Sequence, residues 1–284
     1  MIKTILWDLF NFIRKPDDTQ AKVSVKTKLI YTGLLLVINL IITLIFIVPV
    51  LQKIDDALNL SLTNDEYYTF LKSVFLFSVI APVTEEVVFR YFLRYNGLKT
   101  KIISIQKWRK IFPYLVYSSS ICFGFVHLSN YTNSSNLFYM LSPIIILSQL
   151  AGGLILSFIR VRLNFIWGVL YHALWNFTVT IAIPVVVDSF TEPYTEHTKE
   201  YTITIVEPLF IDENIVHYIK IDSAQGKIQR VAVKQYYLQD LLDTLYTKDK
   251  YNGGKILINL DLTSKDGIKK EEFIKILKKE YEIE

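Results

Sequence analysis

An uninterrupted apolar run near the start of the chain constrains this fold more than any other feature. Residues 29–51 (LIYTGLLLVINLIITLIFIVPVL) contain no charged side chain. About 20 apolar residues in a helix cross the hydrocarbon core of a bilayer, so this run predicts a membrane-spanning helix. A secretory signal peptide would lie nearer the N-terminus and carry a small-residue cleavage site. We therefore expect a retained membrane span.

Further apolar stretches predict an all-α polytopic membrane protein with about five transmembrane helices. The additional spans are expected at residues 67–95, 112–128, 137–159 and 165–187. Residues 2–14 predict a short N-terminal interfacial helix on the membrane surface, because one helical face is apolar. The residues on that face are Ile2, Ile5, Leu6, Leu9 and Phe12 or Ile13.

The balance of charge divides the chain into different parts. Residues 1–190 carry 17 Lys and Arg against 10 Asp and Glu, whereas residues 191–284 carry 14 against 17. The basic residues flank apolar runs instead of forming a polar stripe, which argues against a nucleic-acid partner. A single cysteine, Cys122, excludes a disulfide scaffold. We expect an interfacial segment at 1–28, a transmembrane domain at 29–190 and a soluble accessory domain at 191–284.

The polar last third of the chain predicts a small α+β or α/β domain. Alternating patterns predict strands, and amphipathic patterns predict helices. The strands are expected at 201–208, 215–222 and 227–234. A short apolar run at 255–262 is expected to end in a turn at 263–267. The helices are expected at 233–247 and 268–281. We interpret this domain as a partner-recognition or substrate-recognition module, or as a lid.

The charges of the loops predict an orientation in a bacterial-type plasma membrane. An excess of Lys and Arg marks the cytoplasmic side of a membrane protein. Cationic segments at 14–28 and 91–110, together with Arg160 and Arg162, are therefore expected inside. The acidic segment 52–66 and the uncharged segment 129–136 are expected outside. This alternation places the N-terminus in the cytoplasm and the C-terminal domain outside.

Ionisable side chains inside the predicted spans are the candidate functional groups. Each costs at least about 2.5–3.5 kcal/mol at membrane depth on insertion scales. They form three clusters, which are Glu85, Glu86 and Arg90 in TEEVVFR, His127 in FGFVH, and His172 with Asn176 in HALWN. Glu86 and Arg90 lie one helical turn apart, whereas Glu85 points about 100° away from them. A polar seam that only holds helices together is the alternative, although Ser, Thr or Gln would serve at lower cost.

Taken together, EExxxR, FxxxH and HxxxN in this order resemble the CPBP family of intramembrane proteases. The family includes type II CAAX prenyl endopeptidases and Abi-like and lysostaphin-resistance-like bacterial relatives, which are linked to bacteriocin self-immunity. The resemblance covers about residues 65–190 and implies that Glu85 and His127 activate water, while His172 and Asn176 stabilise the oxyanion. Arg90 is expected to pair with Glu86. The implied partners are the lipid bilayer and a membrane-anchored peptide or protein substrate, prenylated CAAX-type substrates among them.

Three alternatives to a metal-free enzyme stay open at this point. The chain has no HExxH motif, and the resemblance implies a glutamate-dependent reaction without a cofactor, but Glu85, His127 and His172 could together ligate zinc. A non-catalytic scaffold or bacteriocin-immunity protein could share the fold, and an activity that survives loss of Glu85 would favour it. A transporter is a weaker reading, since five spans give no inverted repeat. The sequence does not specify an oligomeric state.

The depth of His127 poses a geometric question. At 1.5 Å of rise per residue, Glu85 and His172 both fall near the cytoplasmic side of their spans. The same count places His127 about 15–20 Å too far out to meet them. Tilt, a helix break at Pro82 with Thr84 capping a new segment, or a later start of the third span would be needed to close the gap.

The predicted orientation can be tested by cysteine labelling in intact cells. After Cys122→Ala removes the native thiol, a cysteine placed within 129–136 or in the C-terminal third should react with a membrane-impermeant thiol reagent. A cysteine placed within 99–107 should not react, because that segment is expected in the cytoplasm. Labelling at 99–107 in intact cells would invert the orientation.

Overall fold

The computed structural model describes residues 2–63 and 66–284, and the chain folds as two compact units. The first unit comprises Met1–Asn64 and Val74–Thr180, and the second comprises Asp65–Ser73 and Ile181–Glu284. Asp65, one of the acids that predict an outside location for segment 52–66, lies outside the described residues. The chain is mostly helical, and a small antiparallel sheet lies in the second unit.

Long helices with short connections make up the first two-thirds of the chain. They are α1 (Ile2–Arg14), α2 (Val25–Leu58), α3 (residues 70–89), α4 (Gly97–Thr100), α5 (Ile105–Val126, extended by the 3-10 turn His127–Asn130), α6 (Asn136–Arg162) and α7 (Phe165–Asp188). Among the described residues, four helices are long and apolar enough to cross a membrane, namely α2, α5 with its 3-10 turn, α6 and α7. The prediction of a mostly helical chain with several helices of membrane-spanning length is confirmed, and the number of membrane crossings stays a prediction.

The fifth predicted span corresponds to α3, which has the length but not the composition of the other four. Every 18-residue window of α3 contains Lys72, Glu85 and Glu86. The helix also ends at Phe89, before the predicted end of the span near Tyr95. Whether α3 crosses the membrane therefore depends on where these charged groups lie in the fold.

Three of the helices contain a π-helical turn that is followed by a proline. The turns are Thr43–Ile47 in α2, Leu76–Ile80 in α3 and Thr178–Ala182 in α7, and the prolines are Pro49, Pro82 and Pro184. A proline ring clashes with the carbonyl four residues before it in a regular α-helix, and a wider turn relieves that clash. As a result α3 continues through Pro82. The predicted cap at Thr84 is wrong, because this residue lies within the helix.

The N-terminal helix α1 buries only part of its predicted apolar face. Ile5 and Phe12 are buried in the core of the first unit. The ring of Phe12 packs edge-on against Phe158 of α6, with 5.5 Å between ring centroids. Trp7 and Phe10 stack on each other and are exposed. The apolar residues of α1 are thus divided between a protein contact and an exposed aromatic surface, which suits a helix at the membrane interface.

Arg162 connects the N-terminal segment to the last turn of α6. Its guanidinium lies 3.0 Å from a carboxylate oxygen of Asp8 and 2.9 Å from one of Asp17. It also donates to the carbonyl of Thr19 at 2.9 Å. Partial burial raises the pKa of Asp17, but the hydrogen bonds from Arg162 and Thr19 outweigh this and hold that pKa below its usual value. Arg162 is therefore a buried structural cation whose side chain is only 7% exposed, and its expected cytoplasmic location stays a prediction.

Segments that are predicted to share a side of the membrane lie together in the first unit. An antiparallel bridge between Leu62 and Tyr131 joins the two segments expected outside. At the opposite end, Arg94 from segment 91–110 donates to the carbonyl of Val161 at 3.2 Å. The segments that lie together are therefore the ones that the charge pattern predicts on the same side of the membrane. Which of the two ends faces the cytoplasm stays a prediction.

The second unit contains a five-stranded antiparallel sheet in the order β1-β2-β5-β4-β3. The strands are β1 (Tyr194–His197), β2 (Tyr201–Val206), β3 (Tyr218–Ala224), β4 (Lys227–Tyr237) and β5 (Leu257–Ile268), and two helices follow β4 and β5, α8 (Leu238–Leu245) and α9 (Lys270–Leu277). The apolar faces of both helices share one core with the sheet. Every strand pairing is antiparallel, which agrees with the α+β alternative and not with α/β.

Two of the boundaries predicted in this part of the chain are wrong. Residues 233–237 extend β4, so the helix expected at 233–247 begins only at Leu238. Residues 263–267 continue β5 instead of forming a turn. In the first segment Val233 lies opposite Leu260. In the second segment Thr263 pairs with Arg230 and Ser264 pairs with Tyr201. These pairings join residues about 30 to 60 positions apart, so the local pattern does not contain them.

Candidate active site

Four of the six side chains predicted from the motifs line one cavity in the first unit. The cavity has a volume of about 390 Å³, and its lining includes Glu85 from α3, His127 from the turn after α5, and His172 and Asn176 from α7. The other two, Glu86 and Arg90, are completely buried next to it. The three motifs therefore converge on one site.

The early end of α3 explains how His127 reaches the level of Glu85. The carbonyl of Phe89, at the end of α3, accepts a hydrogen bond from Ser119 in the second half of α5. The first part of α5, about 20 Å at 1.5 Å per residue, therefore extends beyond the end of α3. Residues 90–104 cover that distance. The predicted offset of His127 is wrong, because it assumed that α3 continues to the level at which α5 begins.

The buried carboxylate of Glu86 holds two other motif side chains. Its Oε1 accepts a hydrogen bond from Nη1 of Arg90 at 2.6 Å and another from Nδ1 of His172 at 3.0 Å. The side chains of Glu86 and Arg90 are both 0% exposed. Burial of an unpaired charge is very unfavourable, so each of these two groups requires the other. The helical spacing predicts this pair, and the structure places it away from the cavity surface.

Glu85 lies on the other side of the same imidazole. Its Oε2 is 3.4 Å from Nε2 of His172, and its side chain is 29% exposed. Because a carboxylate only accepts hydrogen bonds, the Nδ1 atom that contacts Glu86 carries a proton. The protonation state of Nε2 then decides what His172 offers to the cavity, a lone pair when neutral and an N–H when cationic. Two adjacent glutamates thus contact the two nitrogens of one histidine.

His127 is oriented by its own helix. Its Nδ1 donates to the carbonyl of Phe123 at 2.7 Å, one turn earlier in the chain. A carbonyl only accepts, so Nδ1 carries the proton and the neutral ring keeps its lone pair on Nε2. The ring is half-buried at the edge of the cavity. His127 can therefore act as a base through Nε2.

Asn176 is held by the irregular turn in α3. Its Nδ2 donates to the carbonyl of Phe77 at 2.9 Å. Phe77 lies in the π-helical turn, where hydrogen bonds run from residue i+5 to residue i, and the residue five positions later is Pro82. Proline has no N–H to donate to that carbonyl, and the side-chain amide of Asn176 does donate to it. The π turn and the proline thereby fix the position of Asn176, which also lines the cavity.

Phe123, which the sequence treats only as a spacing element of FxxxH, is a structural part of the site. The guanidinium carbon of Arg90 lies 3.9 Å from the centroid of its ring. The same ring contacts the imidazoles of His127 and His172 at centroid distances of 4.7 and 5.7 Å. An aromatic face stabilises a cation by its quadrupole, and it also excludes water from the ion pair. A small aliphatic residue at this position would do neither.

Sequence reasoning also missed Arg160 and Gly168. Arg160 is buried, and its guanidinium donates to the carbonyls of Arg90 at 3.1 Å and Tyr91 at 3.0 Å, where α3 ends. A Cβ atom at Gly168 would lie 3.3 Å from Oε2 of Glu86, so this glycine allows α7 to approach the carboxylate. One signal for Gly168 was available, because it lies one turn before His172 on the same helix. No local signal separates Arg160 from a loop cation.

The zinc alternative requires a cluster of three ligands. Across residues 2–63 and 66–284, no three His, Cys, Asp or Glu side chains are arranged so that they could hold a metal ion. Nδ1 of each motif histidine already donates to an oxygen atom. On the cavity side, the Glu85 carboxylate and the Nε2 atoms of the two histidines remain as bases and hydrogen-bonding groups.

A comparison with protein-family models identifies the region that carries this site. Residues 68–178 match the model described as Type II CAAX prenyl endopeptidase Rce1-like. The matched segment contains all six residues predicted from the motifs, so the resemblance inferred from them is confirmed. Searches of curated proteins and of solved structures found no significant match.

Loss of Arg90 should destabilise the fold more than loss of the whole ion pair. In Arg90→Gln the carboxylate of Glu86 stays buried without its cation, so we expect the free energy of unfolding to fall by about 3–5 kcal/mol. The double variant Glu86→Gln with Arg90→Gln removes both charges and should recover most of that loss. Thermal unfolding in detergent measures the difference.

A matched control for this experiment is Lys72→Gln, which removes an exposed cation from the same helix and should leave the unfolding temperature nearly unchanged. If the double variant is no more stable than Arg90→Gln, the carboxylate does not depend on the guanidinium for its burial.

Proposed function

We propose, from the match of residues 68–178 to the model of type II CAAX prenyl endopeptidases, that this protein is an intramembrane endopeptidase. Its reaction is the hydrolysis of peptide bonds in membrane-anchored substrates by an activated water. The observation that carries the proposal is the one cavity lined by Glu85, His127, His172 and Asn176. Peptide hydrolysis needs a base for water, a proton donor for the leaving amine and donors for the oxyanion, and these side chains supply all three types of group.

Glu85 and His127 are assigned the role of activating the attacking water molecule. Glu85 is the partly exposed member of the glutamate pair, so its carboxylate can contact solvent in the cavity. Nε2 of His127 is the ring atom that is free to accept a hydrogen bond from the same water. The carboxylate takes a proton as the water oxygen bonds to the carbonyl carbon. The C–N bond then breaks, and the amine leaves with the proton that Glu85 held.

His172 and Asn176 are assigned the role of donating hydrogen bonds to the oxyanion. Because Nδ1 of His172 already donates to Glu86, the ring can donate into the cavity only as an imidazolium. Asn176 has a second amide hydrogen besides the one bound to the Phe77 carbonyl. These two N–H groups would be fixed before the reaction, which is the condition for strong stabilisation of a developing charge.

The proposed substrates are membrane-anchored peptides, and prenylated CAAX-type chains are the first candidates. Besides its polar groups, the cavity is lined by apolar side chains, among them Phe77, Ala81, Val126, Leu156, Trp175 and Val179. Such a lining suits an apolar peptide segment or the first part of an isoprenyl group. No cofactor is required in this assignment.

The proposal includes a fifth span and an orientation. In α3, Glu85 lines the cavity and Glu86 is neutralised by Arg90, so neither acid needs to face lipid. Lys72 lies near the start of the helix, where its side chain can extend to the headgroups. With α3 as a span, five crossings place the C-terminal domain outside a bacterial-type plasma membrane when the N-terminus is in the cytoplasm.

The variant Glu85→Gln should abolish turnover without loss of the fold. Glutamine keeps the volume and hydrogen bonding of the side chain but cannot take the proton, so kcat should fall by about 10² or more. The assay is cleavage of a farnesylated CAAX-type peptide by the purified protein, with the unprenylated peptide in parallel. Glu66→Gln, the same change outside the cavity, is the matched control. Activity of Glu85→Gln within a few-fold of wild type would favour a different base, or a scaffold in which Glu85 has no chemical role.

Prolonged chelation should leave the purified protein active. If zinc held the water, Glu85, His127 and His172 would be ligands at about 2.0–2.2 Å, and a chelator would remove activity that added zinc restores. We expect unchanged cleavage after dialysis against a chelator, with the metal content measured on the same sample. Stoichiometric zinc that is lost together with activity, and that restores activity when added back, would overturn the metal-free assignment.

A further inference from the structure

A second cavity in the first unit lies between the C-terminal end of α1 and the first turns of α5. Its volume is about 750 Å³, and its lining is strongly charged. Four cations contribute to it, Arg14 and Lys15 from the end of α1 and Arg109 and Lys110 from α5. It is separate from the cavity that contains the motif residues, with no lining residue in common.

Two acids also line this cavity, but both are already engaged by groups of the protein. Asp17 forms the ion pair with Arg162 described above, at 2.9 Å. Asp18 accepts a hydrogen bond from the indole N–H of Trp108 at 2.8 Å. In the described part of the chain, none of the four cations forms an ion pair. The cavity therefore carries an excess of positive charge that is not neutralised within the protein.

The wall of the cavity is fixed by Tyr117 of α5. Its hydroxyl contacts the carbonyls of Ile13 at 2.8 Å and Arg14 at 3.0 Å, in the last turn of α1. Carbonyls at a helix C-terminus present negative partial charge to their surroundings. The single hydroxyl proton of Tyr117 is shared between these two carbonyls and reduces the negative partial charge that they present to an anion. It also holds the two helices at the separation that forms the cavity.

Two of the four cations lie at the start of a candidate membrane span, where lipid headgroups are expected. Arg109 and Lys110 are in the first turns of a candidate span, and the helix carries no further Lys, Arg, Asp or Glu from Ile111 to Asn130. On α1, Trp7 and Phe10 stack on each other and are exposed, and exposed aromatic side chains of this kind are typical of the membrane interface. A cluster of four to eight basic residues directly beside a span is typical of a site for anionic lipid.

We propose that this cavity binds the phosphate-containing headgroup of an anionic phospholipid. The recognised chemistry is a phosphate group surrounded by the four cations, and the acyl chains of the lipid lie along the apolar surface of α5. The volume exceeds that of a phosphate ion alone and falls in the usual range for a small-molecule site. This site is independent of the catalytic assignment, and its test does not use hydrolysis.

The test is lipid retention by the full-length protein in detergent, measured by native mass spectrometry. Phosphatidylglycerol is titrated against phosphatidylcholine of the same acyl chains, and a Kd is obtained for each. Wild type should retain phosphatidylglycerol selectively. Arg109→Gln with Lys110→Gln should raise its Kd by about 30-fold, the factor expected for loss of two cations near an anionic group.

The matched control removes the same charge from the same end of the protein. Lys101→Gln with Lys107→Gln changes two exposed lysines that do not line the cavity, and it should leave the Kd within about threefold of wild type. An equal loss in both double variants would mean that diffuse surface charge attracts the lipid, which overturns the proposal. Equal retention of phosphatidylcholine and phosphatidylglycerol by wild type would overturn it as well.

Two further measurements complete the test. Inorganic phosphate is added as a competitor, and displacement of the lipid by an equal concentration of phosphate would replace the lipid assignment with a free-phosphate site. Thermal unfolding of each variant reports its fold. If Arg109→Gln with Lys110→Gln does not fold, Arg14→Gln with Lys15→Gln at the exposed end of α1 replaces it, with the same expected increase in Kd.

Discussion

The ion pair between Glu86 and Arg90 is the interaction on which the arrangement of the site depends. Neither side chain reaches solvent, so neither could be buried without the other. The pair also joins three helices, because Arg90 lies against the ring of Phe123 on α5 and Glu86 accepts the Nδ1 proton of His172 on α7. Glu85, next to Glu86 in sequence but about 100° away on the helix, is left to line the cavity. One pair therefore separates a fully buried carboxylate from one that lines the cavity.

The irregular geometry of α3 determines where the remaining groups lie. The π turn before Pro82 directs the carbonyl of Phe77 to Asn176, and the early end of the helix brings His127 to the level of the glutamates. Arg160 then satisfies the carbonyls at that end. In a bilayer, broken helices are tolerated only where protein groups replace the missing backbone partners. Both irregular points of α3 meet that condition, and each does so through a side chain from another helix.

Cations of similar appearance in the sequence have two different roles in this protein. Arg160 and Arg162 are buried and bind backbone carbonyls or carboxylates, which suits the fixed multiple donors of a guanidinium. Lys15 and Arg109 are exposed and carry their charge to the surface of a cavity. Positive-inside reasoning counts all of them alike. The buried and the exposed cations differ in the groups that each one contacts in the folded chain.

The sequence alone determined the class of protein, most of the spans and the six motif residues. A long apolar run, and charged residues within such a run, are both visible in one continuous stretch of sequence. The span at residues 29–51 and the pair of Glu86 and Arg90 can therefore be identified before the tertiary structure is known. Only the tertiary structure decided the end of α3, the level of His127 and the burial of Arg160. It also decided that residues 233–237 form strand. Each of these depends on a partner far away in sequence, such as Ser119 for α3 or β5 for β4, and a local pattern contains no information about such a partner.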